Sequence, residues 1–370
     1  MIFQKYFSQI KKFDWILLSI VLILVIFGLV AIYSIAVNAD APDYGLLIKQ
    51  IIALVLGLIL VFFLGFIDYR ILRSYANLLY WLGVVLLTGV LIFGITVRGT
   101  RGWYSIFGQV FQPVEVVKIL MIVFLSKYLT SKSSASFNFK NLWISFLFII
   151  IPLGLVLLQP DLGSAAIFVV LWMGMIWLTK VKKSYMILIV AFLILSFLIS
   201  WFFFLEDYQR DRIITFLQPN RDPLGQGYNI TQSIIAVGSG QFWGRGLSLG
   251  PQSRLNFLPA KETDFIFSVI AEALGFVGSF FVIALFGLLF WRIVKIMRKS
   301  QDDFGIFLTW GVLLMIVVQV FINIGMNLGL APVAGLPLPF ISAGGSSLLV
   351  NLMAIGILQS IYLRQKRSVA

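Results

Sequence analysis

The chain has 370 residues, of which 60% are hydrophobic and 12% are charged, and its mean hydropathy is +1.01. Soluble domains typically contain about 25% charged and about 45–50% apolar residues, so a water-soluble fold could not cover this much apolar surface. The composition therefore predicts an integral membrane protein, and we expect a single polytopic membrane domain over residues 1–370.

The chain contains no cysteine and no histidine, and its formal net charge is +13. Without these two residue types it cannot form disulfides, use thiolate chemistry, ligate haem in the usual way or build the common zinc sites. A catalytic base in this protein would have to be an aspartate, a glutamate, a lysine or a tyrosine.

Ten apolar runs are long enough to form membrane-spanning helices, each of which needs roughly 20 apolar residues. We therefore predict an all-α integral membrane protein with about ten transmembrane helices. The predicted spans are 15–37, 51–67, 76–95, 114–130, 142–158, 163–180, 185–205, 264–294, 304–330 and 344–363.

Lysine and arginine residues are concentrated before the first span and around the ends of the even-numbered spans. They are Lys5, Lys11, Lys12, Arg70, Arg73, Lys127, Lys132, Lys140, Lys180, Lys182, Lys183, Arg292, Lys295, Arg298, Lys299, Arg364, Lys366 and Arg367. The opposite side has fewer basic residues, Arg98 among them, and they are interspersed with acids. The positive-inside rule predicts that both termini are cytoplasmic. The net charge thus reflects topology, and we predict no nucleic-acid partner.

Two segments on the predicted outer side differ from simple membrane helices. Residues 206–263, between spans seven and eight, form a large polar loop, in which we expect a packed cap with a short amphipathic helix over 230–237. Residues 325–347 contain Pro332, Pro337 and Pro339 among glycines, which cannot continue a helix. We interpret this stretch as a re-entrant or surface-hugging loop before the tenth span, with an ordinary exterior loop as the alternative.

Glu115 and Lys118 are ionisable residues in a predicted span, where charge is costly and a functional or paired role is the default. They are three residues apart on one helix and can form a self-neutralising structural pair. Their position beside Arg101, Trp103 and Gln112 also favours an outward-facing polar pocket.

Asp161 and Glu272 each admit a structural and a functional interpretation. Asp161 lies in the exterior turn before the sixth span, where it could be the N-cap of that helix or a contact for substrate or a cation. Glu272 lies about two helical turns past Asp264, so both could face one interior groove. A satisfied helix-packing contact is the alternative for Glu272.

Asp264 opens the eighth span, directly after the large loop. The helix dipole favours an acid in a first turn, so local structure alone would explain an aspartate there. Lys261 is close in sequence, and Arg210, Arg212 or Arg254 could approach through the loop. A carboxylate at this junction is placed where a base would meet a lipid head group.

Four motifs follow one another over residues 101–347. They are Arg101-Gly102-Trp103 with Phe111-Gln112-Pro113-Val114-Glu115-Val116-Val117-Lys118; Gln159-Pro160-Asp161-Leu162-Gly163; Asp222-Pro223-Leu224-Gly225-Gln226-Gly227-Tyr228 leading to Thr263-Asp264-Phe265-Ile266-Phe267; and Asn323-Ile324-Gly325-Met326 through Pro337-Leu338-Pro339 to Gly344-Gly345-Ser346. This ordered set resembles the SEDS family (shape, elongation, division and sporulation), and Pro337-Leu338-Pro339 is similar to its elongation branch. The chain departs from the family where it has Ala273 and Ala343, which affects local packing only.

The resemblance implies a peptidoglycan glycosyltransferase for cell elongation and rod shape. Such an enzyme polymerises lipid II, which is carried on undecaprenyl pyrophosphate, at the outer face of the bacterial cytoplasmic (inner) membrane. The implied partners are a class B penicillin-binding protein, which is the transpeptidase that crosslinks the strands, and other membrane proteins of the elongation complex. Asp264 is the expected general base, because the acceptor hydroxyl must lose its proton as the new bond forms.

The remaining candidate residues would bind the substrate. Arg101, Lys118, Arg212 and Lys261 are candidates for contact with the pyrophosphate, whose leaving charge needs cations. The full set of expected substrate-binding residues is Arg101, Trp103, Gln112, Glu115, Lys118, Asp161, Arg212, Lys261 and Glu272. A divalent cation, Mg²⁺ or Mn²⁺, could bridge a carboxylate and the pyrophosphate, although no dedicated ligand cluster is visible in the sequence.

Two other classes of protein compete with this interpretation. A flippase or transporter of lipid-linked cell-wall precursors would also need a polar lining and a groove open to lipid. Transporters typically concentrate ionisable residues near mid-membrane and contain repeats, whereas the charge here lies on the outer side and no repeat is evident. A non-catalytic scaffold would explain the helices but not a polar pocket.

Overall fold

The computed structural model describes residues 11–37, 43–97, 99–106, 109–133, 138–179, 181–203, 207–218, 222, 225–255 and 257–365. Residues Lys5, Arg98, Lys180, Lys366 and Arg367 of the predicted topology lie outside the described residues, as do Pro223 and Leu224 of the third motif. The described part is a helical bundle with one small sheet, which confirms the expected all-α membrane fold class.

Thirteen helices are present in the described part of the chain. They are α1 (Trp15–Val37), α2 (Gly45–Phe66), α3 (Arg70–Phe93), α4 (Pro113–Ser133), α5 (Phe139–Leu157), α6 (Leu162–Trp177), α7 (Lys183–Phe203), α8 (Asp207–Leu217), α9 (Gln226–Ser239), α10 (Pro251–Arg254), α11 (Ile266–Arg298), α12 (Asp303–Asn327) and α13 (Gly345–Leu363). The helices α1–α7 and α11–α13 coincide with the ten predicted spans, at slightly different boundaries. Seven of them, α1–α3, α5 and α11–α13, are long and apolar enough to cross a membrane. The count of ten crossings stays a prediction.

A three-stranded antiparallel sheet between α3 and α4 was not predicted. Its strands are β1 (Ile95–Val97), β2 (Thr100–Ile106) and β3 (Gln109–Phe111), with Ile95 opposite Trp103 and Tyr104 opposite Phe111. The strands are too short and irregular to give a clear period-two pattern in the sequence. The sheet covers the bundle at the end that also carries α8–α10, which we call the loop end; the opposite end is the basic end.

The large polar loop contains more helix than expected. The short helix predicted over 230–237 lies within the longer α9, while α8 and α10 were not predicted. The two helices α9 and α10 contact α11, and α9 also contacts α12, so the loop folds back over the bundle as the predicted cap.

The helix α11 is interrupted at Gly275, where φ is 67° and ψ is −160°. The predicted span over 264–294 was continuous, and this part of the prediction is wrong. The break frees backbone groups of α11, and these form hydrogen bonds with the large loop. Phe276 N donates to the carbonyl of Gln241 over 2.8 Å, and Arg245 N donates to the carbonyl of Glu272 over 2.9 Å. A break in a membrane helix is tolerated when protein satisfies its backbone in this way.

The segment between α12 and α13 has non-helical backbone, as its prolines and glycines predict. Leu336, Leu338, Phe340 and Ile341 in this segment are all buried. It therefore packs inside the protein at the loop end, where its backbone can approach the start of α11.

Three helices lie at the centre of the bundle. Most residues of α4, α12 and α13 are buried, whereas α2 and α3 have five buried residues each. At the basic end, the Arg292 Nε of α11 lies 2.7 Å from the Asp14 Oδ2, which ties the start of α1 to the end of α11. The polar residues at the loop end are thus presented by a packed helical scaffold.

Candidate active site

A polar cavity of about 270 Å³ lies at the loop end of the bundle. The sheet, the turn between α5 and α6, helix α8, the start of α11 and the segment before α13 all contribute to its wall. It is lined by Val97, Thr100, Trp103, Val110, Gln112, Pro160, Asp161, Leu162, Arg212, Thr263, Asp264, Ala334, Gly335, Pro337, Ala343, Gly344, Gly345, Ser346 and Ser347. All four sequence motifs therefore contribute residues to one cavity.

Four helices begin at or beside this cavity. Gln112 directly precedes α4, Asp161 precedes α6, Asp264 lies two residues before α11, and Gly344 precedes α13. The N-terminus of a helix carries a partial positive charge and unpaired backbone N–H groups. The Asp161 carboxylate itself caps α6, so the other three ends, those of α4, α11 and α13, make the cavity suited to anionic groups, and in particular to phosphate oxygens.

Asp264 is half-buried, and the backbone around it is held on both sides. Its main-chain carbonyl accepts hydrogen bonds from the side-chain amides of Asn323, over 3.1 Å, and Asn327, over 2.9 Å. The Ser342 hydroxyl donates to the carbonyl of the preceding Thr263 over 2.6 Å. The carboxylate is therefore attached to a rigid stretch of backbone at the cavity wall, as a general base requires.

Asp161 is the N-cap of α6, which was one of the two interpretations that the sequence left open, and it also lies at the cavity wall. Its Oδ1 accepts a hydrogen bond from Ser164 N over 2.9 Å, so it is the N-cap of α6, and its Oδ2 accepts one from the Ser164 hydroxyl over 2.8 Å. Oδ2 also accepts from the Gln112 amide over 3.4 Å. The same carboxylate lines the cavity, so its negative charge faces any ligand while the helix N-terminus stabilises it.

Arg212 is the only basic residue among the described residues that line the cavity. It lies on α8, a helix within the large loop, and this loop folds over the bundle. Helix α8 was not predicted. Trp103 on β2 contributes a buried indole N–H that has no hydrogen-bond acceptor among the described residues. Both side chains are therefore potential donors to a ligand in the cavity.

Glu115 and Lys118 do not line the cavity, although they were expected to belong to an outward-facing polar pocket. Lys118 Nζ lies 2.7 Å from Glu115 Oε1, and the two side chains are 0% and 3% exposed. They form the self-neutralising buried pair that the sequence left open as an alternative. Contact with a substrate would require a space that this packing leaves closed.

Arg101 also lies outside the cavity wall, because its exposed side chain reaches back to the end of α3. The Nη2 atom donates to the carbonyl of Ile92 over 3.1 Å, and Nε donates to that of Gly94 over 3.3 Å. Carbonyls at a helix C-terminus are natural partners for a guanidinium. The arginine thus fixes the sheet against α3.

Of the two interpretations of Glu272, the structure favours the satisfied packing contact, because Glu272 does not line the cavity that Asp264 lines. The Glu272 carboxylate accepts hydrogen bonds from Gln252 N over 2.8 Å, from Ser253 N over 3.0 Å and from the Ser253 hydroxyl. It is fully buried and holds α10 against α11. The intervening turns place its side chain toward the large loop and not toward the cavity.

Lys261 is buried behind the same loop and does not line the cavity. Its Nζ donates to the carbonyl of Ser253 over 2.6 Å. Burial lowers the pKa of the Lys261 ammonium, and the nearby carboxylates of Glu262 and Glu272 partly oppose this shift. Lys261 therefore links the loop to the start of α11 as Glu272 does.

Several residues of the site were not predicted from the sequence as site residues. Asn323 and Asn327 were read only as part of a motif, although a buried amide in an apolar helix must find partners. Ser346 and Ser347, in the first turn of α13, line the cavity. A glycine pair followed by serines at the start of an apolar helix was the available signal for an anion-binding N-terminus.

Among the described residues, no group of three or more acidic side chains is arranged to hold a metal ion. Two carboxylates, those of Asp161 and Asp264, line the cavity. Mg²⁺ typically binds through one or two carboxylates together with substrate phosphates and water. The residues present therefore suit a divalent cation that binds together with a phosphorylated ligand. They suit a cation held by protein alone less well.

The fold and this site define a multi-pass membrane protein with a polar cavity, suited to anionic ligands, at one end of its bundle. The model of the FtsW/RodA/SpoVE family, described as "Cell cycle protein", matches residues 14–367. The chain belongs to this family, which is the SEDS family that its motifs resemble.

Individual relatives support the assignment over nearly the whole chain. The sequence is 36% identical to "Peptidoglycan glycosyltransferase MrdB" of Escherichia coli (strain K12) over 369 residues, covering 98% of this chain and 97% of that one. Its structure is similar to the Thermus thermophilus rod shape-determining protein RodA, with a TM-score of 0.72 and 28% identity over 96% of this chain and 98% of that one. It is also similar to a chain from "Structural coordination of polymerization and crosslinking by a peptidoglycan synthase complex", with a TM-score of 0.79 and 32% identity over 95% and 97% of the two chains.

Proposed function

We propose that this chain, a peptidoglycan glycosyltransferase of cell elongation, polymerises lipid II in the polar cavity with Asp264 as the general base. The observation that carries the proposal is the convergence of Asp264, Arg212 and the N-termini of α4, α11 and α13 on one cavity. This arrangement joins a group that can accept a proton to groups that can stabilise a phosphorylated leaving group.

The reaction transfers a glycan chain to a sugar hydroxyl. The acceptor oxygen attacks the anomeric carbon of the donor, a new C–O bond forms, and the C–O bond to undecaprenyl pyrophosphate breaks. The proton of the acceptor hydroxyl passes to the Asp264 carboxylate. The pyrophosphate leaves as an anion and needs no proton, so one carboxylate is sufficient, in contrast to the paired acids of a glycosidase.

The leaving pyrophosphate is proposed to lie between Arg212 and the first turn of α13. A guanidinium can donate two parallel hydrogen bonds to phosphate oxygens. The backbone N–H groups of Gly345, Ser346 and Ser347 and the two serine hydroxyls supply further donors at a positive helix end. The charge that develops on the leaving group would meet donors that are already in place.

The other side chains of the cavity are proposed to orient the two sugars. The Trp103 indole offers a flat apolar face and an N–H donor, and Gln112 and Asp161 offer polar groups. A divalent cation, Mg²⁺ or Mn²⁺, would be held by Asp161 or Asp264 together with the pyrophosphate, and when bound it would stabilise the leaving charge.

We propose that the loop end faces the outside of the bacterial cytoplasmic membrane and that both termini are cytoplasmic. The described basic residues at the other end, such as Lys182, Lys183, Arg298 and Lys299, support this orientation through the positive-inside rule. A class B penicillin-binding protein is the proposed partner, since a similar chain belongs to a complex that coordinates polymerization and crosslinking. Other membrane proteins of cell elongation would join this pair.

The decisive experiment compares the wild type with Asp264→Asn on labelled lipid II, each purified with its penicillin-binding partner. We expect the wild type to form glycan strands and the variant to be slower by about 10²–10⁴-fold, the usual contribution of a general base. Asp211→Asn is the matched control, because Asp211 is exposed on α8 and does not line the cavity.

Three results would overturn parts of the proposal. Equal strand formation by the wild type and Asp264→Asn, with both proteins folded and partner-bound, would remove Asp264 as the base. Equal loss in Asp211→Asn would show a general loss of structure. No strands from the wild type, together with translocation of lipid II in vesicles, would favour a flippase.

A further inference from the structure

A second cavity, of about 140 Å³, lies at the basic end of the bundle, on the opposite side from the polar cavity. The last turns of α11 and the end of α13 form its wall. It is lined by Arg292, Lys295, Ile296, Lys299, Tyr362 and Gln365, and we call it the basic cavity. None of the described residues that line it is acidic, and no step of the proposed reaction uses it.

Arg292 makes this cavity a built site and not a patch of surface lysines. It is only 8% exposed, and its Nε donates to the Asp14 carboxylate over 2.7 Å. The guanidinium carbon also lies 5.8 Å from the centre of the Tyr362 ring. The Asp14 carboxylate thus fixes the Arg292 guanidinium through one of the five N–H donors of that group, and it balances the positive charge of the arginine.

Lys295 and Lys299 then supply a net positive charge that no lining residue neutralises. Lys295 lies in the last turn of α11 and Lys299 directly follows that helix; both are exposed, so their ammonium groups can reach a common ligand above Arg292. The Tyr362 hydroxyl adds a neutral donor. Arginine, lysine and tyrosine in a concave site favour an anion with several oxygens, and phosphate is the anion whose geometry a guanidinium matches best.

Trp291 indicates that the cavity opens at the level of the membrane interface. Its side chain is 57% exposed on α11, and the Lys295 Nζ lies 5.1 Å from the centre of its ring. Tryptophan is enriched where the hydrocarbon meets the head groups, and lysine there extends toward the polar side. A phosphate bound in the basic cavity would lie at the depth of lipid phosphates.

We propose that the basic cavity binds a phosphodiester, and that its source is the head group of an anionic phospholipid. Basic sites between the ends of membrane helices have the charge and depth that such head groups require. In the proposed orientation the lipid belongs to the cytoplasmic leaflet. The bound phosphate would link the ends of α11 and α13.

The test measures phospholipid binding to the full chain by native mass spectrometry, after titration with phosphatidylglycerol or phosphatidylcholine. The variant Lys295→Gln/Lys299→Gln should bind phosphatidylglycerol about tenfold more weakly than the wild type, with little change for phosphatidylcholine. Lys295→Arg/Lys299→Arg keeps the charge and should restore binding. The matched control is Lys132→Gln/Lys140→Gln, which removes two charges from the same end of the bundle but away from the cavity.

The outcomes separate the possible sources of the phosphate. Competition by inorganic phosphate at equal efficiency, with the same dependence on Lys295 and Lys299, would keep the phosphate site but overturn the lipid as its source. Equal weakening in the control variant would overturn the site, because a diffuse surface field would then explain the binding. Unchanged phosphatidylglycerol binding in the Lys295→Gln/Lys299→Gln variant would overturn it as well. Since the assay needs neither lipid II nor a partner protein, its failure is distinct from a failure of the proposed catalysis.

Discussion

The side-chain amide of Asn327 donates a hydrogen bond to the main-chain carbonyl of Asp264 over 2.9 Å. The Oδ1 of the same asparagine accepts from the Ser268 hydroxyl over 2.7 Å and from Ser268 N over 3.1 Å. Asn323, one turn earlier on α12, donates to the same Asp264 carbonyl. The central helix α12 therefore sets the position of the proposed base just before the first turn of α11.

We expect Asn327→Ala to lower the rate of strand formation at saturating lipid II by tenfold or more, with a smaller change in KM. The substitution removes one of the two amide donors to the Asp264 carbonyl and the acceptor shared by the Ser268 hydroxyl and Ser268 N, and each buried hydrogen bond contributes about 0.5–1.5 kcal/mol. A displaced base affects the transition state more than substrate binding. Steady-state kinetics with the partner protein, beside a thermal unfolding curve, would measure both effects.

Gln319→Ala is the control for this variant, since Gln319 lies two turns earlier on α12 and is equally buried. Neither polar atom of its amide has a partner among the described residues. Its loss should therefore leave the turnover rate nearly unchanged. Equal kinetic losses in both variants would indicate a general effect of α12 packing and contradict a specific role for Asn327.

The buried pair of Glu115 and Lys118 predicts a non-additive effect on stability. Lys118→Met leaves an unpaired carboxylate in the protein interior and should destabilise the fold by about 3–5 kcal/mol. The double variant Glu115→Gln/Lys118→Met removes both charges and should recover most of that loss. Thermal unfolding in detergent of Glu115→Gln, Lys118→Met and the double variant would measure the coupling between the two charges. Additive effects would mean that the charges act independently.

We expect a substitution of Arg212 to lower the affinity for the pyrophosphate part of the substrate. Arg212→Gln should weaken the binding of undecaprenyl pyrophosphate by about tenfold or more, since a charged hydrogen bond contributes about 1.5–3 kcal/mol. Arg210→Gln is the matched control, because Arg210 is on the same helix and does not line the polar cavity. Similar losses in both variants would show that only the general charge of α8 matters.

We expect a substitution of Glu272 to cause local unfolding of the protein and not global unfolding. Glu272→Ala removes the acceptor for Gln252 N and Ser253 N, so α10 should detach from α11. We expect faster cleavage by protease within residues 246–255 and a smaller change in the unfolding temperature of the bundle. Glu262→Ala, a change next to the same loop, should leave the cleavage rate near that of the wild type. An unchanged cleavage pattern in Glu272→Ala would contradict the anchoring role.

The membrane class, the long apolar helices and the segments in which polar residues gather could all be predicted from the amino-acid sequence. These features depend on local properties, such as apolar runs, prolines, glycines and capping residues. Asp161, for example, is the N-cap of α6 in the structure as its position before an apolar helix indicated. The break at Gly275 escaped prediction, because glycine is common within membrane helices and only its contact with the large loop requires the positive φ.

Which polar residues share the cavity depends on contacts between distant parts of the chain, and local sequence does not specify these contacts. Glu272 is eight residues from Asp264 and faces away from it, whereas Asn327 is 63 residues from Asp264 and holds its backbone. Arg212 reaches the cavity because the large loop folds over the bundle, while Lys118 is enclosed with Glu115. Buried polar groups must find partners wherever the chain brings them, and the packing of distant helices selects those partners.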